Sequence, residues 1–274
     1  MILAAGEFGV AVHHLDEGVV AASRFHVNER RVFGPDEDVV TMIIDALEAW
    51  HRKGHGTSVA VPLNDHELPV VQASLPWLQI DDDADAVLHR MKHGAAVLPR
   101  NHDFDAHAVS VDPNLRIDMD LDDHTAIHDA WNREMKETNV SQGAYVSGQV
   151  HDLGMEARLG MRAQAGPMWP PRGATSDGSA PAQGPLLTTT ARVVSWTKLI
   201  AAGCPSEFAI RAPFLGGLTS MILAFDQGPS GVFLHVDGFP SQVAIDDTMG
   251  LVVRRVYAQD GVLRYGRKAV SPSA

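Results

Sequence analysis

Cysteine is almost missing from this chain: Cys204 is the single one among 274 residues. One thiol excludes an internal disulfide framework and every metal site built from several cysteines. Long apolar runs are missing too, and nothing approaches the ~18–20 consecutive apolar residues that a membrane-spanning helix needs. The opening residues, Met1-Ile2-Leu3-Ala4-Ala5-Gly6-Glu7, place no basic stretch ahead of an apolar one. No secretory signal is therefore expected, and a cytoplasmic location is the default. Positive charge is scarce: 22 Lys and Arg stand against 34 Asp and Glu, for a net charge of −12, and aromatics make up only 6%. An acidic chain without a basic stripe lacks the phosphate contacts and stacking platforms of a nucleic-acid binder. Neither nucleic acid nor membrane is expected as a partner. Catalytic signatures are equally sparse. There is no Gly-x-Ser-x-Gly elbow, no His-Glu-x-x-His helix and no internal repeat.

What is present is unevenly spread. Residues 81–129 hold 12 Asp against 4 Lys and Arg, whereas residues 186–274 hold 6 acids and 8 bases. Thirteen of the 14 histidines precede residue 152. Such shifts predict units of different character within a length that suits two domains.

The first segment reads as α/β. Glu7–His13 is a short β-prone run. Val39, Met42, Ile43, Ala46, Leu47 and Trp50 recur at helical spacing behind Gly34-Pro35-Asp36-Glu37-Asp38, acids that suit the first turn of a helix. Gly54 and Gly56 stop that helix, and residues 58–62 read as a strand. Asp83–Met91 precedes another β-prone run at Ala95–Leu98. Residues 101–121 suit a loop, 122–138 a helix with Ile127, Ala130, Trp131 and Met135 on one face, and 173–185 a Gly/Ser/Ala/Pro spacer. Residues 143–157 are ambiguous. Farther on, residues 191–200, 207–214, 218–225, 231–236, 249–258 and 262–268 are β-rich at the spacing of a small barrel. Gly216-Gly217 and Asp260-Gly261 supply hairpin-type turns.

Two motif sets carry family resemblances. Met168-Trp169-Pro170-Pro171-Arg172, followed by Ala191-Arg192-Val193-Val194-Ser195-Trp196-Thr197, resembles the zinc-ribbon/OB-fold proteins that accompany thiolases and ketosynthases. Further matches in fixed order extend this over residues 158–274: Glu207-Phe208-Ala209, Ala212-Pro213-Phe214, Met249-Gly250-Leu251-Val252-Val253 and Arg264-Tyr265-Gly266. Where that family carries two cysteine pairs, this sequence reads Arg162, Ala165, Thr175 and Gly178. The resemblance thus implies a ribbon without zinc, held by packing rather than by metal. In the other half, residues 34–42 resemble the Asp-Glu-Asp-x-x-Thr-Met helix start of hydroxymethylglutaryl-CoA synthase-like thiolases. Residues 83–90 are similar to a strand near the end of those proteins. Together these imply an α+β chain. A contracted thiolase-like α/β segment spans 1–112, a helix, linker and degenerate metal-free ribbon span 113–185, and an OB-fold β-barrel spans 186–274.

Thiolase chemistry needs an activated cysteine. Cys204 lies outside the thiolase-like part with no histidine near it in sequence, so a structural or incidental thiol is the reading. His124 and His128, like His89 and His93, stand four apart, a spacing that can chelate a metal. His102 and His107 lie near the latter pair. Chance pairs are expected among 14 histidines, and a solvated face is the preferred reading; neither a metal nor a cofactor is expected. Asp81-Asp82-Asp83 reads as a solvated turn and Arg254-Arg255 as a solubilised edge. The resemblance points to Trp169, Arg172, Trp196 and Arg211 as residues that meet a partner or line an acyl-CoA passage, beside their structural reading as turn, barrel and ion-pair residues. The expected function is an accessory component of a thiolase- or ketosynthase-type acyl-transfer system in secondary metabolism, bound to such an enzyme or self-associated. The alternative is a stand-alone cyclase or acyl-transfer enzyme with its site in the acidic, His-rich stretch 81–129.

Overall fold

A computed structural model describes residues 2–3, 11–136, 148–164, 177, 182–200, 203–204, 208–239 and 242–271. The chain divides into two units, the first ending at Leu121 and the second starting at Asp122. Strands outnumber helices, making this a mixed α+β protein. Among the described residues no helix is long and apolar enough to cross a membrane.

The first unit runs β1 (Ile2–Leu3), β2 (Ala11–His14), β3 (Val19–Ala22), β4 (Phe25–Val27), β5 (Arg30–Arg31), α1 (Val39–Arg52), β6 (Ser58–Val59), α2 (Glu67–Ser74), β7 (Gln79–Ile80), β8 (Ala86–Met91), β9 (Gly94–Pro99), β10 (Ser110–Val111) and β11 (Ile117–Asp118). Its main sheet is antiparallel in the order β2-β3-β9-β8, with Val20 opposite Ala96. The central pair consists of small, fully buried residues, among them Ala21, Ala22, Ala95 and Ala96, so α1 can pack closely on them. Gly94 is required by the same closeness, because a Cβ there would lie 2.5 Å from the Ala21 carbonyl oxygen.

The start of α1 differs from expectation. The acids do not sit in its first turn; Asp38 is the N-cap. Its Oδ1 accepts from the Thr41 amide and Thr41 Oγ1 accepts from the Asp38 amide, each at 3.0 Å, which closes a reciprocal capping box. Glu37 is buried and its carboxylate accepts from the Gly34 amide. Met42, Ile43, Ala46, Leu47 and Trp50 are buried as the periodicity requires. Gly54, at φ 76°, follows the C-cap Lys53 in the left-handed conformation that ends helices. β6 then runs beside β8 through a parallel bridge, Ala60 to Val87, while pairing β7 on its other side.

The second unit contains α3 (Leu121–Glu134), α4 (Gly148–Leu159), β12 (Arg162–Gln164), β13 (Gln183–Leu186), β14 (Thr190–Leu199), β15 (Leu218–Ala224), β16 (Ser230–Leu234), β17 (Thr248–Gln259) and β18 (Val262–Val270). The ambiguous stretch 143–157 is thus largely α4, and β12 pairs with β13 antiparallel. Five strands form one antiparallel sheet in the order β16-β15-β14-β17-β18. Its inner face is filled by Val193, Met221, Leu223, Phe225, Phe233, Met249, Leu251 and Ala269. Asp260 and Gly261 both take positive φ, 51° and 75°, and join β17 to β18 in the two-residue turn their sequence signals.

Two expectations are corrected here. Among the described residues the expected barrel does not close: His235, just past β16, bridges Ala269 on β18 in parallel, and no ladder joins the two strands. The expected strand at 207–214 is, over its described part, a series of turns. Arg211 and Ala212 both donate to the Phe208 carbonyl, and Leu215 to that of Arg211. Local bonding across three and four residues has replaced a ladder, as suits a segment that contains Pro213 and ends at the positive-φ pair Gly216-Gly217.

Candidate functional site

The second unit holds a buried ionic cluster assembled around Arg211, which is 1% exposed. Trp131 and Glu134 stand three apart on α3, hence on one face. Arg211 Nε donates to Glu134 Oε1 at 2.6 Å, Nη1 to Asp237 Oδ2 at 3.2 Å, and Nη2 to the Val256 carbonyl at 2.6 Å. The guanidinium lies 3.9 Å from the centre of the Trp131 ring, and Arg255 approaches the same ring at 4.5 Å. Lys268 Nζ pairs with Asp237 at 3.0 Å, and the Ala258 amide donates to Glu134 Oε2 at 3.3 Å. Burial pushes the Glu134 carboxyl up, against the opposing pull of Arg211. Arg211 reaches α3 through Glu134 and β17 through the Val256 carbonyl, so the cluster ties α3, the 208–217 turns and β17 together.

The other sequence candidates separate. Trp169 and Arg172 lie outside the described residues. Trp196 is on β14 opposite Met221, on the side of the sheet that carries the core, yet 46% exposed. Cys204 is half-buried; its Sγ donates to the Leu199 carbonyl at 3.8 Å, and burial pushes its thiol up, away from the thiolate a nucleophile requires. His124 is held down by burial and by neighbouring His128, whose Nδ1 faces the Asn132 amide at 3.1 Å. His89 and His93 are not on a helix at all. One lies on β8 near Phe104 and the other in the turn before β9, edge-on to Phe33, so their spacing places them on no common face. No group of three His, Cys, Asp or Glu side chains among the described residues is arranged to hold a metal ion. Arg254 is almost fully buried rather than a solubilised edge residue, and its Nη1 donates to the Val253 carbonyl.

A cleft of about 510 Å³ lies in the first unit, where the ends of α1, β6 and β8 converge. Trp50, His55, Thr57, Ser58, Asp81, Asp83 and Asp85 line it. The Trp50 and His55 rings stack at 4.5 Å. Asp81 Oδ1 accepts from the Asp83 amide, an Asx turn. Arg100 fastens that turn from behind, donating to the carbonyls of Asp82 and Ala84 at 2.5 and 2.9 Å. Three carboxylates and an imidazole around an aromatic floor suit proton transfer or the holding of a cationic or hydroxyl-rich group. Only the aspartate turn was visible beforehand. Trp50 and His55 flank the helix-stopping Gly54, and that position was the signal.

The sheet of the second unit exposes apolar side chains as well. Ile222 on β15 and Val232 on β16 are direct cross-strand partners on its outer face, each 40% exposed. No known family matches the sequence, and no curated protein matches it.

Proposed function

We propose that the chain is an accessory component of a thiolase- or ketosynthase-type acyl-transfer system, docking on a cysteine-bearing enzyme through its second unit. The observation that carries this reading is the exposed Ile222–Val232 pair on the outer face of the sheet. The strand order β16-β15-β14-β17-β18, with its outer strands drawn together at His235 and Ala269, supports an OB-type reading of that unit. The neutral, hydrogen-bonded thiol of Cys204 supports an accessory rather than a catalytic role. Within this reading Trp196 borders the partner or an acyl-CoA passage, and Arg211 acts from inside, by fixing the 208–217 turns beside the sheet. Trp169 and Arg172 keep the same assignment on the sequence resemblance alone.

The test is affinity capture of the tagged chain from its native extract, followed by mass spectrometry. Stoichiometric recovery of a thiolase or ketosynthase, lost on Ile222→Asp with Val232→Asp, is the expected result. Recovery of no such enzyme by a well-folded chain overturns the reading.

The cleft favours a second reading, a stand-alone enzyme using His55 with Asp81, Asp83 or Asp85 as acid and base. It overlaps the acidic stretch expected to house such a site. Turnover of an acyl-thioester by the isolated chain, abolished by His55→Ala, is its test.

A further inference from the structure

β14 changes its surroundings half-way along. Thr190, Ala191 and Arg192 pair with β17, and Val193 still exchanges bonds with Asp246 and Asp247, both at 2.9 Å. From Val194 onward that side of the strand has no backbone partner among the described residues, while β15, after a register shift at Val194, pairs its other side from Ser195 to Leu199. Residues 194–198 are exposed at every position, not at alternate ones, as expected of a strand whose edge and both faces reach solvent. The sequence there, Val-Ser-Trp-Thr-Lys, is β-branched and aromatic with one charge. An unpaired edge of this composition is a template for another strand.

We infer that this edge pairs antiparallel with the same edge of a second copy of the chain, across a two-fold axis at Trp196. Charge selects the occupant and the register. The chain carries −12 overall, but residues 193–200 contain no acid and only Lys198 as a base, so this stretch itself sets no acid against acid between two copies. With Trp196 facing Trp196 of the other copy, Ser195 lies opposite Thr197 and Val194 opposite Lys198. Hydroxyls face hydroxyls, an aromatic pair sits at the centre, and no like charges meet. An interface of this kind is isologous and closes at two copies, running β16, β15 and β14 of one copy into β14, β15 and β16 of the other as a ladder of six strands. The pairing uses the backbone edge of β14 and does not rest on the docking reading above.

The register gives a sign test. Val194→Lys sets two cations face to face on each side of the axis, whereas Val194→Glu sets a carboxylate against Lys198. Analytical ultracentrifugation of the full chain over a concentration series reads the dimer constant. Wild type is expected to dimerise, Val194→Lys to weaken the dimer at least about tenfold, and Val194→Glu to tighten it by about two- to fivefold. The double variant Val194→Lys/Lys198→Glu restores pairing, which separates a lost contact from a damaged fold. A wild-type chain that stays monomeric throughout, or a dimer indifferent to charge at 194, overturns the inference. In the first case the edge belongs to a partner strand or to solvent.

Discussion

Trp131 and Glu134, one helical turn apart on α3, grip the same guanidinium: Glu134 meets Arg211 in its plane at 2.6 Å and Trp131 covers its face at 3.9 Å. A planar cation is held in two perpendicular directions by one helix, a task lysine could not perform.

Removing the cation therefore leaves two buried carboxylates short of their partner. Arg211→Ala is expected to lower unfolding stability by ~3–5 kcal/mol. Urea denaturation of the variant against wild type checks this, and a loss below ~1 kcal/mol would contradict a cluster that locks the unit.

Acidity acts on the same cluster with a definite sign. The folded-state affinity of Glu134 for its proton is raised by burial, above the ordinary 4.5. Its contribution is thus fully present below that value and is lost as pH rises through the folded value. Glu134→Gln does not titrate. The stability of wild type relative to the Gln variant should decline as pH is raised from about 4. Thermal midpoints of both proteins along a pH series measure it, and a difference that grows with pH would count against the assignment.

The capping box of α1 offers a cleaner local test. Asp38→Ala strips the Thr41 amide of its acceptor and should cost ~1 kcal/mol, while Asp38→Asn, which keeps an acceptor, should cost a few tenths. Equilibrium denaturation separates the two. Equal losses would show that Asp38 matters for some other reason.

Cys204 should behave as a protected thiol. At pH 8 its alkylation by iodoacetamide is expected to run several-fold slower than that of a small free thiol, since burial raises its pKa. Faster reaction than the free thiol would instead mark an activated sulfur and reopen a nucleophilic role.

Legibility in the sequence followed the range of the forces involved. Local chemistry was readable: the 3.6-residue rhythm of α1, the stop at Gly54, and the Asp260-Gly261 turn each depend on neighbours in the chain. Residues 207–214 misled because Phe208 and Ile210 have strand propensity, whereas turn bonds to Phe208 and Arg211 decide their conformation. The four-residue spacing of His89 and His93 has meaning only on a helix, and they stand on a strand and a turn. Arg211 was singled out, yet its partners Glu134 and Asp237 lie 77 and 26 residues away, so its burial was not visible. The cleft was hidden for the same reason: Trp50, Ser58 and Asp85 share no local pattern and meet only once β6 lies beside β8.

Arg100 gives that cleft a property of its own. By holding the carbonyls of Asp82 and Ala84, it ties the aspartate turn to the end of β9 before anything enters. A molecule arriving at Asp81 and Asp83 meets a wall that is already set, and the entropy of ordering the wall has been spent during folding rather than at the moment of association.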